Sequence, residues 1–131
     1  MKFKYSFPLL VSFFLGLVTI ILLRNYNLGS SFFLFFISIP YYDKIGHFFL
    51  MGILAFLTVI TLTPLFPNNP VKSTVIILGV LLSLIAIEEY SQMFIPTRTF
   101  SFKDFVCDVL GVLSFGSLGY FLVVNPHKSS K

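Results

Sequence analysis

All five carboxylates of this 131-residue chain, Asp43, Glu88, Glu89, Asp104 and Asp108, fall in two stretches, DKIGHFF and EEYSQMFIPTRTFSFKDFVCD, with Lys44, His47, Gln92, Arg98 and Lys103 among them. None lies in a tail or in the remaining loop. The set offers three kinds of chemistry. An imidazole beside a carboxylate can take and return a proton near neutral pH. A guanidinium near backbone donors at a helix start, as at Arg98 in IPTRTFS, suits a phosphate or carboxylate. Five acids against Lys44, Arg98 and Lys103 leave negative charge in excess, to be met by protonation, water or a cation. A metal site is not expected, because no His-x-x-x-His or Cys pair supplies ligand spacing.

Spacing brings these groups onto common faces. Asp43 and His47 are four residues apart, Glu89 and Gln92 three, and Asp104 and Asp108 four, so each pair occupies one side of a helix. The helices are of an unusual kind. Apolar residues make up 56% of the chain and charged ones 11%, outside the range of soluble domains, with 18 Phe and no Trp. A span needs about 17–20 apolar residues. Residues 7–23, 45–66, 74–95 and 105–124 qualify, predicting an all-α membrane protein, a single domain over 1–131 built as a four-transmembrane-helix bundle. Ser30 to Pro40 is apolar but too short to cross and is expected to be interfacial or re-entrant. The basic start resembles a signal peptide, but no A-x-A-like site follows Leu23, so the first segment is read as an uncleaved span.

Four spans put both termini on one side. Lys2, Lys4, Lys72, Lys128 and Lys131 fall there, which favours cytoplasmic termini and sends the polar stretches to the outer face. Arg24 is read with the tail and loop cations as a topology signal or head-group contact rather than a nucleic-acid footprint, and no nucleic-acid partner is expected. Glu89 lies six residues before the end of its span, about 9 Å below it at 1.5 Å per residue. An ionisable group at that depth normally turns inward, pairs and marks a site. Gly46, Gly52, Gly79, Gly111, Gly116 and Gly119 are expected to let helices approach closely. Ser101 reads as the cap of the last helix. Tyr41 and Tyr42 read as interfacial belt residues, His127 as a tail residue and Cys107 as packing.

The combined pattern resembles the VanZ-like family of small bacterial membrane proteins. Asp43-Lys44-x-x-His47 opens one helix. Glu89-x-x-Gln92 follows, then Pro96, Arg98, Asp104, Asp108 and Gly111 at the family's spacing. Asp108 stands where the family usually has Asn, Thr97 where it often has Gly, and Glu88 is an added acid. The resemblance implies a role in the bacterial cell envelope, in the cytoplasmic (inner) membrane, and the family is named for resistance to the glycopeptide teicoplanin; it implies no reaction and no cofactor.

The leading expectation is an outer-face cavity binding an envelope lipid head group or a glycopeptide-type ligand, with acid–base chemistry. Asp43, His47 and Glu89 would carry the proton transfer; Lys44, Gln92, Arg98, Asp104 and Asp108 would hold the ligand. Membrane lipids are the expected partners. Alternatives are a small proton-coupled transporter and a non-enzymatic membrane scaffold in which the polar groups only join helices. No Ser elbow, phosphate-cradling Gly loop or cofactor fingerprint names an enzyme class.

Overall fold

The computed structural model describes residues 3–26, 41–96 and 100–125. They form α1 (Phe3–Asn25), α2 (Tyr42–Leu62), α3 (Pro70–Ser91) and α4 (Phe102–Val124), with 3-10 turns at Thr63–Leu65 and Gln92–Phe94 prolonging α2 and α3. All four are long and apolar enough to cross a membrane, giving the expected all-α four-helix bundle. Each predicted span overlaps one helix, and each helix begins three or four residues before the apolar window, because polar residues at the rims, Asp43 and Lys44 among them, keep the helical backbone; α2 and α3 end four residues inside their windows, where the 3-10 turns begin. Ser30 to Pro40, Arg98 and His127 lie outside the described residues.

Local chemistry fixes the helix starts. The Asn69 side chain accepts the Lys72 N–H at 3.1 Å and Pro70 takes the first helical position, where a missing N–H costs nothing. Ser101 caps α4, its hydroxyl accepting the Asp104 N–H at 3.3 Å. At the head of α2, Tyr41 adopts φ 59°, a left-handed conformation uncommon for a side-chain-bearing residue, and its ring is exposed.

α2 is the central element and packs most extensively on α4. Gly111 lies against the Phe48 carbonyl, so close that a Cβ there would stand 2.1 Å from that oxygen. One turn on, Gly52 faces the Phe115 ring, and at the far end Gly119 faces Phe56 and Val59. Contacts advancing together from Phe48–Gly111 to Phe56–Gly119 make α2 and α4 parallel, the arrangement of alternate helices in an up-and-down bundle. Phe48, Phe49 and Phe115 meet edge to face with centroids 5.2–6.0 Å apart and close the crossing on one side. Gly116 receives Leu78 of α3. Gly46 and Gly79, also expected to be packing glycines, have open space where a Cβ would be: spacing along a helix does not say which small residues lie at a crossing.

Met51, Leu54, Ala55, Ile85 and Val112 form the buried core, joined by Leu17 from α1. Val75, Ile76, Val80, Leu84 and Ile87 of α3, and much of α1, leave apolar side chains on the outside, as a lipid-facing surface requires.

Candidate functional site

One end of the bundle gathers the last turn of α1, the first turns of α2 and α4, and the last turn of α3. α2 and α4 run parallel there, so a residue pair on one helix meets a residue pair on the other in register. Lys44 Nζ stands 3.3 Å from Asp104 Oδ1, and one turn deeper His47 Nδ1 lies 2.9 Å from Asp108 Oδ1. The two contacts differ in kind. The deeper one is a hydrogen bond, whereas Asp104 Oδ1 is buried without a directed hydrogen bond, so its contact with Lys44 is Coulombic.

α3 contributes from the other side. Glu89 is 1% exposed, and its Oε1 accepts the backbone N–H of Ser101 at 3.1 Å, which ties the end of α3 to the cap of α4. Its Oε2 is buried and makes no hydrogen bond to any described residue. Gln92, 3% exposed, donates to both carboxylate oxygens of Glu88 at 3.0 Å, so the added acid has a positioning partner on its own helix.

α1 supplies a residue that sequence reasoning assigned to topology. Arg24 Nη1 donates to Asp43 Oδ1 at 2.7 Å. The signal was present: an Arg closing one span and an Asp opening the next necessarily share a membrane face.

Several expected partnerships change. Asp43 and His47 share a helix face, but the hydrogen-bond partner of His47 is Asp108 and the ion-pair partner of Asp43 is Arg24. Asp104 meets Lys44, while Lys103 is exposed. The reason is the parallel α2–α4 crossing, which sets Lys44 and His47 opposite Asp104 and Asp108. Asp43, Lys44, His47, Glu89, Asp104 and Asp108 are therefore at one end of the bundle, Gln92 is beside them through Glu88, and Arg98 lies outside the described residues.

Two groups of possible metal donors emerge that spacing could not reveal, since each draws on more than one helix. One donor atom each from Asp43, His47 and Asp104, or from His47, Glu89 and Asp108, lie within 4.8 Å of one another. The cluster also has a gradient of exposure. Lys44, Arg24 and Asp43 are about a third exposed at 33%, 29% and 31%, His47 is at 12%, and Asp108 at 1%. Cations thus stand at the lip while the imidazole and two carboxylates form the floor.

An open groove of about 310 Å³ lies elsewhere, between α1 and α2, lined by Leu10, Val11, Phe14, Leu15 and Thr58. Thr58 is eleven residues past His47, about 16 Å along the helix, so this apolar groove and the polar cluster are distinct places.

A protein-family model described as VanZ/LLP1 matches residues 4–124. No curated protein and no solved structure matches the chain.

Proposed function

The chain belongs to the VanZ/LLP1 family, and from that premise we propose that this multi-pass membrane protein acts in the bacterial cytoplasmic membrane, holding the polar head group of an envelope lipid at the outer-face end of its bundle. The observation that carries this reading is the gradient from exposed cations to buried imidazole and carboxylates. Arg24 and Lys44, at the lip, meet the phosphate of a head group arriving along the membrane surface. His47, hydrogen-bonded to Asp108 below it, is the group able to exchange a proton with the bound head group, and Glu89 sits beside this pair as a second acceptor. Asp104 positions Lys44, and Glu88 with Gln92 fixes the end of α3.

The same reading gives a lipid-linked envelope head group as the ligand through which a teicoplanin-resistance phenotype would arise. The tail and loop lysines support cytoplasmic termini, an orientation in which the cluster would face the outer leaflet.

Native mass spectrometry of the detergent-purified protein against a panel of phospholipids and polyprenyl-phosphate lipids tests the proposal. Selective retention of one head-group class by the wild type, lost in Arg24→Gln and in His47→Gln variants that unfold like the wild type, is the expected result. Equal retention of every lipid, or retention unaffected by both substitutions, would refute it. Teicoplanin susceptibility of cells producing each variant gives the physiological counterpart.

A further inference from the structure

We propose that His47, Glu89 and Asp108 bind one divalent transition-metal ion between α2, α3 and α4. The first support is geometric. One ring nitrogen and two carboxylate oxygens from three different helices lie within 4.8 Å of one another. Neighbouring donors on an ion with bonds of about 2.0–2.2 Å are separated by about 2.8–3.6 Å, and His47 Nδ1 and Asp108 Oδ1 stand 2.9 Å apart. Glu89 supplies the third donor within the same 4.8 Å.

The second support is independent of the clustering. Glu89 is 1% exposed, and its Oε2 is buried with no hydrogen-bond partner among the described residues. A buried carboxylate oxygen does not normally go without a partner, because desolvating it is costly. Its other oxygen is held by the Ser101 N–H, which fixes the carboxyl beside the His47–Asp108 pair and leaves Oε2 for a ligand.

Charge and competition decide between the two donor groups. Neutral imidazole with two carboxylates carries a formal charge of −2, which a divalent ion cancels within a bundle surrounded by hydrocarbon. The group formed by Asp43, His47 and Asp104 already has the Lys44 ammonium 3.3 Å from Asp104 and the Arg24 guanidinium 2.7 Å from Asp43, and both repel a cation. One nitrogen and two oxygens suit Zn²⁺ or Mn²⁺ better than Mg²⁺ or Ca²⁺, which prefer all-oxygen shells. Three protein donors leave coordination positions for water or an incoming anion. The site shares His47, Glu89 and Asp108 with the head-group reading, but binding of the ion alone requires no lipid ligand, so the two can fail separately.

Tag-free protein, stripped with chelator and placed in nanodiscs of zwitterionic lipid, is titrated with Zn²⁺ and Mn²⁺ by calorimetry. One saturable ion per chain is expected, with Glu89→Gln weakening it about tenfold or more and Lys72→Gln, at the opposite end of the same helix, changing it by less than about twofold. Pulsed electron paramagnetic resonance of the wild type loaded with Mn²⁺ should show coupling to a single imidazole nitrogen, a readout that survives even if Glu89→Gln folds poorly. Absence of saturable binding, absence of nitrogen coupling, or a folded Glu89→Gln that binds as tightly as the wild type would each overturn the proposal. The lipid panel run without metal reports on the head-group reading separately.

Discussion

Replacing Gly111 by Ala probes the contact on which the whole polar cluster depends. A Cβ at this position would lie 2.1 Å from the Phe48 carbonyl oxygen, whereas the closest comfortable C···O approach is about 3.3 Å. Backbone is on the other side of the contact, so no side chain can swing away, and α2 and α4 must part by about 1.2 Å, the difference between those distances. Overpacking of this kind costs about 1–3 kcal/mol. A second cost follows from position. His47 immediately precedes Phe48 and Asp108 is one turn before Gly111, so the same parting carries their 2.9 Å hydrogen bond to about 4 Å, beyond hydrogen-bond reach. Loss of that bond to a buried carboxylate adds about 1–3 kcal/mol, for a total of about 2–6 kcal/mol. The assay is unfolding by SDS in mixed micelles followed by far-ultraviolet circular dichroism. Gly46→Ala and Gly79→Ala are the internal controls. Neither meets anything within 4 Å, and both should equal or exceed the wild type through the better helix propensity of Ala. If Gly111→Ala unfolds with the wild type, or if the control variants fall as far as it does, the close α2–α4 crossing is wrong.

Three further outcomes are expected. His47→Ala leaves Asp108, 1% exposed, without its partner and should destabilise by about 1–3 kcal/mol, and His47→Ala/Asp108→Ala should recover part of that loss in the same SDS titration, because both polar groups are then gone. Ser101→Ala removes the α4 cap at a cost of about 1 kcal/mol, yet it keeps the backbone N–H that holds Glu89, so Mn²⁺ affinity should be unchanged by calorimetry. In a Cys107→Ser background, Lys103→Cys should react with an impermeant maleimide on intact cells and Asn68→Cys only after permeabilisation; the reverse pattern would invert the proposed orientation.

Long apolar stretches broken by polar punctuation specified the four membrane helices, because a segment in hydrocarbon must satisfy its own backbone and only a helix does so locally. The same logic marked Glu89 as inward-facing and Ser101 as a cap, both of which depend only on the residue and its immediate neighbours. The pairing of the charged groups was not legible in that way. Spacing along α2 suggested Asp43 with His47, but partners are chosen across helices, and the parallel crossing set by Gly111 and Gly52 brings Lys44 to Asp104 and His47 to Asp108. Arg24 acquired its place by the same route, from the return of the chain rather than from its own surroundings. Composition and periodicity thus determined that this protein is a bundle of membrane helices with its acids at one end. Only the tertiary structure decided which acid meets which base, and that Glu89 is left with an oxygen to spare, because such contacts depend on how far one helix lies from another and at what register, distances that no single helix encodes.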